Sequence, residues 1–210
     1  MKNVPYQGNA GNACALACYT MAAKYLLPDE DVTFEKLAEV ADWKQGYVVW
    51  GFAVWKWLMD RGLHIVDYDT IDYLAWSKNG QDGLKVSVPE KEWEFYKENT
   101  FDLKEESKNI ILAFNHPNFT YKRRRPTWED VLREHNLPGV CDVTVNSRRL
   151  NHKKGFSGHR VVLLDITDKE VVFNNPQGDW SGEKRREPLA HFRKVFKDME
   201  EPELARYYIN

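Results

Sequence analysis

Gln7-Gly-Asn-Ala-Gly-Asn-Ala-Cys14-Ala-Leu-Ala-Cys-Tyr-Thr-Met21 decides the reading of this 210-residue chain. A Gly/Asn-rich loop gives way to a helix expected over Ala13 to Leu26, with Asn12 as its N-cap and Pro28 beyond its end. Its apolar residues Leu16, Ala17, Cys18, Met21, Ala22 and Tyr25 recur at steps of three and four but spread widely around the axis, which predicts a mostly buried helix. Cys14 falls in the first turn. There the positive end of the helix dipole favours a thiolate, the attacking species in cysteine catalysis. The competing reading of Cys14 is a small buried core residue. Cys18, one turn deeper, and Cys141, alternating within a strand, read as core. Three cysteines make no disulfide framework.

Outward from that segment, Thr33 can cap a helix over Phe34 to Ala41, and Gly51 to Arg61 reads as a helix stopped by Gly62. Leu63 to Tyr68 alternates like a strand. Residues 69–126 hold charged helical stretches near Glu90–Glu98 and Glu105–Phe114 and little that resembles a core strand, so they read as a helical insertion. Thr127-Trp-Glu-Asp130 has the form of a capping box. Gly139 to Val145, Arg160 to Ile166 and Glu170 to Phe173 read as strands, Leu189 to Phe196 as a helix and Ala205 to Ile209 as a last strand. Helices first and an antiparallel sheet second predict a single α+β domain over 1–210.

A thiolate needs a base. Of six histidines, His64 and His116 have no suggestive setting, His135 and His191 fall in expected helices, and His152 lies in a basic loop. His159 follows Gly155-Phe-Ser-Gly158 and opens the apolar run Val161-Val-Leu-Leu164, which puts an imidazole at the mouth of a strand. A structural hydrogen-bonding role is the alternative. The next strand ends at Asn174-Asn175-Pro176. If the two strands form a hairpin, Asn175 lies beside His159 and can orient its ring; otherwise Asn-Pro simply makes a turn.

Together these segments resemble the papain-like cysteine peptidases, and most closely the branch that processes bacteriocin precursors with double-glycine leaders. Gln7, a gap and Cys14-Ala-Leu-Ala-Cys-Tyr-Thr-Met21 resemble that family's active-site segment. Gly158-His159-Arg-Val-Val-Leu-Leu-Asp-Ile resembles its histidine strand, and Phe173-Asn-Asn-Pro176 its Asn-Asp-Pro ending. The likeness covers about 1–68 and 127–209. It departs at Ala15-Leu16, where the family has Gly-Pro, and at Asn175, where this branch has Asp. The resemblance implies a helical half carrying Cys14 packed on a C-terminal antiparallel sheet. It implies Cys14 as nucleophile, His159 as base, Asn175 as orienter and Gln7 as oxyanion-hole donor, for hydrolysis of an amide or peptide bond without a cofactor. A non-catalytic binding module on the same frame, and an acyl transferase or deamidase using the same triad, remain as alternatives.

The formal charge of −2 gives no global field favouring nucleic acid or anionic membrane. Two basic runs, Lys122-Arg123-Arg124-Arg125 and Arg148 to Lys154, read first as solvated loops. The resemblance implies a peptide, protein or small amide substrate as the partner. No apolar run has signal-peptide or membrane-spanning form, and the expectation is a cytoplasmic protein, with export by a signal-less route as the alternative. A metal site on Cys14, Cys18, His152 and His159 is disfavoured, because structural zinc sites carry such cysteines on tight turns.

Overall fold

The run Val161–Leu164 sends alternate side chains to opposite faces of a strand, and both faces are buried. Val162 and Leu164 enter a core with Leu16 and Met21, while Val161 and Leu163 enter a second core with Val143 and Phe192. A sheet covered on both sides is the result. The computed structural model describes residues 1–177 and 182–210.

The first part of the chain forms Cys14–Leu26 (α1), Phe34–Val40 (α2), Phe52–Met59 (α3), His64–Asp69 (β1), Tyr73–Asn79 (α4), Gln81–Ser87 (α5), Glu90–Asn99 (α6), Leu103–Phe114 (α7) and Phe119–Arg123 (β2). There follow Trp128–Asn136 (α8), Val140–Asn146 (β3), Ser147–Leu150 (α9), Gly158–Ile166 (β4), Glu170–Asn174 (β5), Arg185–Pro188 (β6), Leu189–Lys197 (α10) and Leu204–Tyr208 (β7). The strands lie in the order β2-β1-β7-β3-β4-β5-β6. The class is α+β, as expected.

Two expectations need correction. The sheet is mixed, because β1 and β2 pair in parallel, with Ile65 opposite Phe119 and Asp69 opposite Arg123. Residues 69–126 are helical over α4 to α7, yet they also supply β2. A parallel pair needs a long crossover, and those four helices are that crossover. They are also part of the core: Trp76, Leu84, Ile110 and Ala113 are fully buried in the same cluster as α1 and α3. The charged surfaces of α6 and α7 mask this contribution in the sequence.

Local chemistry sets the helix starts. Thr33 accepts from the Lys36 N–H. Thr127 and Asp130 form a reciprocal capping box on α8. At α1 the cap position falls on Ala13, not the expected Asn12, and no side chain closes the first turn. The helix therefore begins at Cys14 itself, with first-turn N–H groups that no capping side chain occupies.

Candidate active site

β4 and β5 are antiparallel neighbours, with Val162 opposite Asn174. The start of β4 therefore lies beside the end of β5, and His159 meets Asn175. Their contact is His159 Nε2 to Asn175 Oδ1 at 2.6 Å. An amide oxygen only accepts, so Nε2 carries the proton, and Nδ1 of the neutral ring is left as an acceptor. Packing of α1 against β4 brings Cys14 to the same place, where its thiol and the His159 ring each shift the other's titration.

The electrostatics of the pair are mutual. Burial by itself would raise the Cys14 thiol. The hydrogen bond and charge of His159 oppose it, as do the Arg160 backbone N–H and guanidinium, and the net shift is downward. For His159, burial by itself lowers the imidazole, but the bonds to Cys14 and Asn175 outweigh it and the net shift is upward. Thiol down and imidazole up are the directions that favour a thiolate–imidazolium pair. Cys18 and Cys141 behave oppositely: burial pushes Cys18 well above an ordinary thiol and Cys141 up to about 12.

Asn175 is fully buried. Its N–H donates to Gly182 O at 2.8 Å, and its carbonyl accepts from the Tyr6 hydroxyl at 3.1 Å. Gly182 is required there, since a Cβ would lie 1.8 Å from the Asn175 oxygen. Asn174 ties the N-terminal segment to the same strand end, donating to Val4 O at 3.1 Å. Gln7 does not join this set. Its Nε2 donates to Gly8 O at 3.2 Å and its Oε1 accepts from Lys24 Nζ at 3.1 Å. Lys24 lies about 15 Å further along α1 than Cys14 at the helical rise.

Arg160 is the residue that the sequence reading passed over. Its guanidinium is buried and pairs with Asp142 at 3.0 Å and with Glu203. The ion pair fixes β4 to β3 and to the segment entering β7, directly behind His159. The signal was present: a charged residue inside an apolar strand needs a buried partner.

Cys14, Cys18, His152 and His159 do not converge on a metal geometry. Cys18 is wholly buried in the α1 core, and His152 stacks instead on His191, with ring centroids 4.4 Å apart. A groove lined by Trp43, Tyr47, Trp50, Phe101 and Glu106 opens beside α2 and α7 and contains none of the four candidate residues. The grouping of Cys14, His159 and Asn175 is the stronger marker, because it sets a lowered thiol against a raised imidazole that Asn175 holds by a hydrogen bond. No family model matches the chain, and no curated protein or solved structure matches it.

Proposed function

We propose that this chain is a cysteine hydrolase of the papain-like class, acting on an amide or peptide bond. The observation that carries the reading is the His159–Asn175 hydrogen bond at 2.6 Å beside a thiol, Cys14, whose titration His159 lowers while Cys14 raises that of the imidazole. In this reading His159 takes the thiol proton through the nitrogen that Asn175 leaves open. The thiolate attacks the carbonyl carbon, and the carbonyl becomes a tetrahedral oxyanion. The backbone N–H of Cys14, at the first position of α1, is the natural donor to that oxygen. Gln7 becomes the second donor only after its carboxamide leaves Gly8 and Lys24. The imidazolium then protonates the leaving amine, which departs and leaves a thioester on Cys14. Water activated by His159 releases the acid; an amine in its place would make the same site a transferase.

One observation favours the rival reading of a binding module without chemistry, namely the engagement of Gln7 away from Cys14. The two readings separate in the pH dependence of thiol alkylation. A catalytic Cys14 stays reactive well below the ordinary thiol value of about 8.5, His159→Ala abolishes that low-pH reactivity, and Cys14→Ala abolishes labelling. If the wild-type rate rises only near pH 8 to 9 (about the ordinary thiol range) and His159→Ala leaves it unchanged, Cys14 is an ordinary thiol and hydrolysis is abandoned.

A further inference from the structure

We propose that His152, Glu187 and His191 form a binding site for a divalent transition-metal ion, with zinc as the reference. Each offers a ligand atom, and the three atoms lie within 4.8 Å of one another. Bonds of about 2.0–2.1 Å in a tetrahedral zinc site set ligand atoms about 3.4 Å apart. Imidazole lone pairs lie in the ring plane, so the stacked rings of His152 and His191, 20° from parallel, must turn for both to reach one ion. Two imidazoles and one carboxylate are a donor set suited to zinc or to another borderline divalent ion. His152 is exposed and His191 half-buried, while Glu187 is 8 % exposed, so water can complete the coordination from the His152 side.

Three further observations point to a ligand. First, His191 Nε2 is buried with no hydrogen-bond partner. A buried polar atom left unpaired is destabilising, and a metal would use that lone pair. Second, the His152 ring already lies against that of His191, with centroids 4.4 Å apart. Third, the carboxylate is already oriented. Arg185 donates to Glu187 Oε1 from Nε at 3.1 Å and from Nη2 at 2.6 Å, so neither bond occupies Oε2. The same guanidinium donates to Asn151 Oδ1 at 2.8 Å and Leu150 O at 3.0 Å, which ties down the chain next to His152. Outer partners that hold ligands in this way are typical of metal centres. The nearby positive charge of Arg185 and Lys153 opposes a cation and moderates its affinity.

The site uses none of the groups assigned to the proposed hydrolase, so either idea can fail alone. Because a reactive thiolate also binds zinc, the test uses metal-stripped Cys14→Ala protein titrated with Zn²⁺ by calorimetry and with Co²⁺ by visible absorbance. The expected result is one equivalent bound, with affinity falling about tenfold or more in His191→Gln and in His152→Asn. Asn tolerates the left-handed backbone of His152, so that variant keeps the test valid should His191→Gln lose its fold by circular dichroism. His64→Gln, remote from the cluster, should bind as the parent does. The proposal is overturned if Cys14→Ala takes up no Zn²⁺ at about 100 µM, a weak-binding limit. It is equally overturned if His152→Asn binds as tightly as its parent, since the paired rings would then be a stacking contact only.

Discussion

Asn175 decides which nitrogen of His159 faces the thiol, and that role has a measurable sign. Its bond raises the His159 imidazole. In Asn175→Ala the imidazolium is less stable, so the Cys14 thiolate loses support and its apparent pKa rises. The alkylation profile should move to higher pH and, under the proposed hydrolase reading, turnover of an amide substrate should fall about 100-fold. An unchanged profile would leave Asn175 as a turn residue. Glu106 gives a second residue-scale test. Burial, against the opposing bond from Asn109, lifts its carboxyl from 4.5 to about 7. The folded state therefore holds a proton that the unfolded state releases, and stability falls as pH rises between those values. Glu106→Gln should be near neutral at about pH 4 and stabilising by up to about 3 kcal/mol above pH 8, read by urea denaturation. At this scale Cys14, His159 and Asn175 could be picked out from their order and neighbours. The partners of Gln7 could not, because a glutamine in a flexible loop has no periodicity to declare where its amide points.

Among the elements, α8 is the one whose start is most plainly written. Thr127→Ala removes the cap on the Asp130 N–H, which is one half of a reciprocal box, and should cost about 1 kcal/mol in denaturant midpoint analysis. β4 is held by different means. Arg160→Met leaves Asp142, which is 0 % exposed, without its cation. Breaking a buried pair from one side is expected to cost about 3–5 kcal/mol. The same variant should also raise the Cys14 apparent pKa, since the guanidinium charge helps to lower it. Helices α1, α2, α3, α8 and α10 were legible because stop and start residues flank them. Strands β3, β4, β5 and β7 were legible from apolar runs. β2 was missed because Phe-Thr-Tyr-Lys-Arg is mostly half-exposed and lies next to a basic run. β6 was missed because Arg-Arg-Glu-Pro has no strand pattern at all.

For the whole molecule, the consequence of β2 is that residues 70–126 cannot be treated as a detachable lobe. Their deletion would remove a strand and open the core at Trp76 and Ile110. The shortened chain should be recovered insoluble or without cooperative thermal unfolding; a soluble, cooperatively folding product would show that the remaining sheet suffices. Sequence gave no hint of this, since a crossover and an insertion share the same helical pattern until the strand that closes the crossover is recognised. That strand and β6 are also the two ends of the sheet, and their composition now acquires a purpose. Unpaired strand edges recruit other chains into continuous sheets. β2 carries Lys122 and Arg123, and β6 carries Arg185, Arg186 and Pro188. The first basic run, read from sequence as solvated loop, thus guards a border against self-templating. Replacing Lys122 and Arg123 with Thr and Val would keep the backbone pairing of β2 with β1, give up the Lys122 bond to the Tyr68 hydroxyl at 2.6 Å and the Arg123–Asp72 pair, and make an uncharged margin. Light scattering on storage should then rise with protein concentration, reporting edge-to-edge growth of molecules that are individually still folded.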